Sequence, residues 1–155
     1  MIGITLLAAT TMVLPPAAEQ AAMFRAAEFI QRGGEWRTRD CEGMEGDSYA
    51  PGHVDAYGDA NQDGHPDAVI SESSALCYGM AGMKFWVLAK DDAGKWRVMT
   101  AQIGMPDFLD STGVGGWQDL QVGGPGFCFP VLRWDGKTYR HNRYEYEGKP
   151  CRPGQ

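Results

Sequence analysis

The run Asp59-Ala60-Asn61-Gln62-Asp63-Gly64-His65-Pro66-Asp67 places oxygen-bearing side chains at regular intervals and then enters the apolar Ala68-Val69-Ile70. Oxygen side chains at loop positions 1, 3 and 5, a Gly at 6 and a carboxylate at 9 follow the first nine positions of an EF-hand calcium loop. At position 12 an EF-hand needs a bidentate Glu; Ile70 stands there, so a strand rather than a second helix is expected after the loop. Asp59, Asp63 and Asp67 would gather round one point, where each pair at about 4 Å costs roughly 1 kcal/mol even at the dielectric of water. A hard cation reverses that sign. Asn61 adds a neutral oxygen, the backbone carbonyl of His65 another, and water completes a shell of about 6 to 8 oxygens. Calcium is therefore the expected ion, with a structural rather than catalytic role. The alternative is an acidic Asx-type turn that holds no metal.

Little else in the chain has the spacing of chemistry. There is no G-x-S-x-G, no H-E-x-x-H and no P-loop, and Gly113 to Gly116 lacks the Lys that would cradle phosphate. His53, His65 and His141 are far apart and show no ligand spacing. Glu72, Glu145 and Glu147 could supply a carboxylate pair for glycoside hydrolysis, but any acidic chain offers such pairs. The reading leans against an enzyme.

Cysteines stand at 41, 77, 128 and 151, an even number with no C-x-x-C pair, which favours two disulfides over zinc or a redox dithiol. Sequence leaves three pairings open. The expected one joins Cys41 to Cys151, tying the chain ends, and Cys77 to Cys128, tying two related hairpins. That second bridge would staple Ser71 to Met83 beside Gly123 to Phe127, presenting Tyr78, Met80, Met83 and Phe127 as a surface for a protein partner.

The elements that must position these groups are read from periodicity. Met1 to Leu14 is apolar and ends at Pro15-Pro16-Ala17-Ala18, the form of a secretory signal, so residues 1 to 18 are expected to be a signal peptide and 19 to 155 a single exported domain, periplasmic or secreted. No membrane span is expected in the mature protein. Met23, Ala26, Ala27 and Ile30 have helical spacing, so a helix is expected over Glu19 to Arg32, ended by Gly33-Gly34. Strands are expected at Trp36 to Arg39, Val54 to Tyr57, Asp67 to Ser71, Phe85 to Lys90 and Trp96 to Ala101. Phe85 to Lys90 is apolar on both faces and reads as a central strand. Strands at Gln118 to Val122, Phe129 to Leu132 and Thr138 to Tyr146 echo the earlier ones, with Asp135-Gly136 as a two-residue hairpin turn. Asp107, Asp110 and Asp119 do not recreate the metal spacing. The expected fold is mainly β with one N-terminal helix, an antiparallel sheet or small sandwich built from two degenerate strand-loop-hairpin units. A net charge of -6 in 155 residues, with scattered basic residues, argues against nucleic acid.

The loop and the strand after it resemble the D-x-[DN]-x-D-G-x-x-D turns of exported VCBS and FG-GAP-like repeats. The run from Gly115-Gly116-Trp117 through Gly123-Gly124-Pro125-Gly126-Phe127-Cys128-Phe129-Pro130 to Cys151 is similar to small exported bacterial proteins. The resemblance implies compartment and fold and transfers no activity. Two functions follow as expectations. The first is a calcium-bound, disulfide-stabilised binding module, an inhibitor or immunity-type partner of a cell-envelope enzyme. The second is an envelope hydrolase acting on glycan or peptidoglycan.

Overall fold

The computed structural model describes residues 13–154, so residues 1–12 of the expected signal peptide lie outside it. Helix α1 (Ala17–Ala26) precedes two curled antiparallel sheets whose strands lie side by side in chain order. The first holds β1 (Ile30–Arg32), β2 (Glu35–Arg37), β3 (Ala50–Gly58), β4 (Asp67–Ser73), β5 (Met83–Lys90) and β6 (Trp96–Ile103). The second holds β7 (Met105–Thr112), β8 (Gln118–Gly123), β9 (Phe129–Trp134), β10 (Tyr139–Tyr146) and β11 (Lys149–Pro150). Gly104 alone separates the two sheets in sequence; its φ of +137° suits glycine, and a Cβ there would meet the Gly123 carbonyl oxygen at 2.4 Å. A short helix α2 (Ala75–Tyr78) and a 3-10 turn (Gly79–Ala81) join β4 to β5.

Alternation along β5 shows how the layers stack. Phe85, Val87 and Ala89 face the second sheet and share a core with Val69, Met99, Leu120, Val122, Leu132 and Trp134. Trp86 and Leu88 face the other way, where with Ala68, Ile70 and Trp96 they receive Met23 and Phe24 of α1 and Ala27 just after it. A helix thus covers one face of the first sheet and the second sheet covers the other, which is why both faces of this strand are apolar.

Several expected boundaries move. The helix stops at Ala26, because Glu28 takes a left-handed φ of +64° while Phe29 N–H reaches the Phe24 carbonyl and Glu28 N–H that of Arg25, a Schellman ending. Phe29 then packs against Phe24 and Trp86, and Ile30 starts β1. Gly33-Gly34, at φ +57° and +85°, is therefore a hairpin turn between β1 and β2 rather than a helix cap. The Asp135-Gly136 turn closes over four residues, since Trp134 pairs with Tyr139 and Asp135 Oδ1 accepts from Lys137 N–H and Thr138 N–H. Strands β7 and β11 were not expected. Pro130 sits in an interior strand without cost, because the β8–β9 ladder runs only through Leu120–Leu132 and Gln121–Val131 and needs no donor from residue 130.

The disulfides are Cys41–Cys77 and Cys128–Cys151, which corrects the expected pairing. Each bridge joins connecting segments that flank strands of one sheet, rather than linking Cys41 to Cys151 or one sheet to the other. The segment after β2 is drawn onto α2 when Ser74 Oγ donates to the carbonyls of Met44 and Glu45, which brings Cys41 beside Cys77. Cys151 follows β11, and Cys128 precedes β9 two strands away. The closed loops span 36 and 23 residues, each constraining the unfolded chain by about 3–4 kcal/mol in the chain-entropy view. Proteolysis without reductant should therefore release one fragment pair linked through Cys41 and Cys77 and another through Cys128 and Cys151. Recovery of a Cys77–Cys128 fragment would contradict this arrangement.

Candidate metal centre

The loop hangs between Gly58, the last residue of β3, and Asp67, the first of β4, which are paired with one another in the ladder. Inside it the side chains fold onto loop amides. The Asp59 carboxylate accepts from Asp63 N–H at 3.1 Å and Gly64 N–H at 2.8 Å. Asp63 Oδ1 accepts from His65 N–H at 2.8 Å, and its Oδ2 from the Asn61 side-chain amide at 3.0 Å. Asp67 Oδ2 accepts from Ala60 N–H at 2.9 Å. Gln62 and Gly64, at φ +61° and +89°, supply the left-handed positions that reverse the chain. The His65 imidazole leaves the loop for Asp92 on the β5–β6 hairpin, 2.9 Å away, so only its carbonyl remains for a metal.

Asp59, Asn61, Asp63, His65 and Asp67 are thus brought into one hydrogen-bonded loop but not into one coordination shell. Among the described residues no group of three or more His, Cys, Asp or Glu side chains stands ready to hold a metal. Two of the loop's oxygens nevertheless lack any donor, Asn61 Oδ1 and Asp67 Oδ1, both buried; outside the loop Asp55 Oδ2 is likewise unpaired. Asp67 is 5% exposed. Burial, with Asp63 and Asp59 nearby, pushes its carboxyl up to about 6, whereas the hydrogen bond from His65 N–H holds that of Asp63 below its ordinary value. A hard, all-oxygen donor set with two orphaned oxygens fits calcium.

The two other buried carboxylates of the described chain are fully engaged. Glu72 accepts from Thr38 N–H and Oγ1–H, Tyr49 O–H and Tyr78 O–H. Asp119 is gripped by the Arg133 fork at 2.9 and 2.8 Å, by Arg143 at 2.7 Å and by Ser111 at 2.6 Å. The Arg133 guanidinium holds the Asp119 carboxyl well below the usual carboxylate range. Neither carboxylate is free for chemistry. Ser71, His53 and Asp55 also meet, but Ser71 Oγ at 3.3 Å and Asp55 at 2.9 Å both approach the same ring nitrogen, Nε2. A triad needs them on opposite nitrogens.

The expected partner rim is only half preserved. Tyr78 is buried with its hydroxyl on Glu72, so it belongs to the core, and Met83 pairs with Ser73 in the ladder and is half-buried. Met80 and Phe127 remain exposed, at 89% and 54%, with no disulfide between their loops. Leu76, more exposed than Phe127, went unnoticed because it lies in what reads as a polar loop.

Asp67 has a measurable consequence. Its folded pKa lies above the 3.8 of the free group, so folding holds the proton; the stability this group contributes is full below about pH 4 and lost as pH rises through about 6. At roughly 1.36 kcal/mol per unit the loss reaches about 3 kcal/mol. In chelator, Asp67→Asn should therefore gain stability over the natural chain as pH rises from 4 to 6.5, measured by urea unfolding. A gap that stays constant with pH would contradict the assignment. Comparison with protein-family models, curated proteins and solved structures returns no match, so the loop's own geometry carries its interpretation.

Proposed function

We propose that residues 59–67 bind one calcium ion and that the chain is an exported, disulfide-stabilised binding module rather than an enzyme. The observation that carries the metal is the contrast among the three buried carboxylates: Glu72 is satisfied by four donors, Asp119 by two guanidiniums and a hydroxyl, and Asp67 by one amide alone. A buried charge without a partner is costly, and a cation between Asp59, Asn61, Asp63, the His65 carbonyl and Asp67 removes that cost. The ion would tie the two ends of the loop across the β3–β4 ladder and supply no chemistry.

Two disulfides support an oxidising compartment and hence export. Cleavage after Ala18 would remove only Ala17 and Ala18 of α1 and keep Met23 and Phe24, which hold the helix to the sheet. No helix among the described residues is long and apolar enough to cross a membrane. Exposed Leu76, Met80 and Phe127 suit contact with a protein partner in the cell envelope. The two strand-loop-hairpin segments remain, in this reading, diverged copies of one unit. The envelope-hydrolase alternative loses one of its three candidate carboxylates, because Glu72 is sealed inside the fold.

Calcium that binds only the folded state stabilises it by RT ln(1 + [L]/Kd), about 2.7 kcal/mol at a hundredfold excess over Kd. The melting temperature should rise with calcium and fall with chelator. Asp63→Ala should abolish that response, and Asp107→Ala, on exposed β7, should keep it. A natural chain indifferent to both calcium and chelator would return the loop to an acidic turn.

A further inference from the structure

Beside the loop, between the two sheets, lies a cleft of about 290 Å³. Val69 and Val87 of the first sheet and Phe108 and Trp117 from the second give it apolar walls, with Ala56 of β3 exposed among its lining. Asp59 and Asp67 also line it, and no lysine, arginine or histidine does. Strand alternation puts Asp67 on the same face of β4 as Val69, the face turned toward the second sheet. The residue therefore borders the space between the sheets, its partnerless Oδ1 withdrawn from solvent there.

Such a cleft discriminates by charge. A neutral hydrocarbon would leave the Asp67 oxygen without a donor, and an anion would meet two carboxylates. An alkylammonium brings three N–H donors to the carboxylates, is attracted to aromatic faces, and places its hydrocarbon against the apolar walls. The volume sits at the low end for ligand pockets, which limits the body to one ring or a short alkyl chain. We propose that this cleft binds a small hydrophobic primary amine as its ammonium ion, with the head on Asp67 and Asp59 and the body between Phe108 and Trp117. We further propose that calcium in the loop opposes it by engaging the same two carboxylates. The second statement rests on the calcium reading and the first does not.

The test titrates phenethylammonium into the full chain in chelator, following tryptophan fluorescence and heat, beside 2-phenylethanol and 3-phenylpropionate. Saturable binding of the ammonium, at least tenfold weaker binding of the alcohol and none of the carboxylate are expected. Equal affinity for ammonium and alcohol, or no saturable ammonium binding by folded protein, overturns the cleft assignment. Ala56→Leu, which adds bulk at an exposed lining position, should lose the ammonium while its melting temperature still responds to calcium; retained binding overturns the assignment. Saturating calcium should raise the ammonium Kd at least tenfold in the natural chain. Asp63→Ala, outside the lining, should bind the ammonium with no calcium effect. An unchanged Kd in protein whose melting temperature does rise with calcium overturns the competition, whereas an unchanged melting temperature overturns the calcium reading instead.

Discussion

A carboxylate taken out of water must be compensated on the spot, and the described chain does so in different ways at Glu72, Asp119 and Asp67. Glu72, near the end of β4, gathers donors from Thr38, Tyr49 and Tyr78 and so ties the segments flanking β2 and β3 to α2 around the Cys41–Cys77 bridge. Asp119, on β8, draws Arg133 of β9 and Arg143 of β10 across the second sheet. These two bind sequence-distant segments through charge-assisted hydrogen bonds, stronger than neutral ones. Asp67 stands at the mouth between the sheets with one donor and two like charges near it. Its Oδ1 has no donor within the chain, and the proposed calcium and ammonium ions would each supply a positive partner there.

The layering follows from this placement. The two sheets share one core that ends near Asp67, and α1 seals the opposite face of the first sheet. The loop therefore borders the rim of the inter-sheet core as well as solvent, and the Asn61 carbonyl oxygen would lie 3.4 Å from a Cβ on Gly116, in the connection between β7 and β8. An ion that stiffens the loop would also steady the contact between sheets at that end.

Much of this was legible in residues whose signal is local. The nearly unbroken apolar run of Phe85 to Lys90 revealed a strand buried on both faces, and the Asp, Asn and Gly spacing revealed the loop. What sequence missed depends on tertiary choice. Gly33-Gly34 serves a helix cap and a type I′ turn equally well, and only the packing of Phe29 on Trp86 decides between them. Strand β7 hid because its exposed face carries Asp107 and Asp110, which read as loop. The disulfide pairing depended on Ser74 docking the Met44–Glu45 segment, a contact across some thirty residues that no spacing announces. The Asp119–Arg133–Arg143 cluster was invisible for the same reason, although two arginines on strands after a buried-strand Asp were a signal that could have been weighed.

Asp67 is proposed to take its missing partner from a cation held in the loop. Calorimetric titration of chelator-stripped protein with calcium tests it directly, with terbium luminescence sensitised by nearby Trp117 as an independent reading of the same site. One ion per chain is expected in the natural protein, none in Asp67→Asn and none in Asp63→Ala, with both variants still folded. Absence of heat and of sensitised emission in the natural chain, or one ion bound equally well by Asp67→Asn, would contradict it.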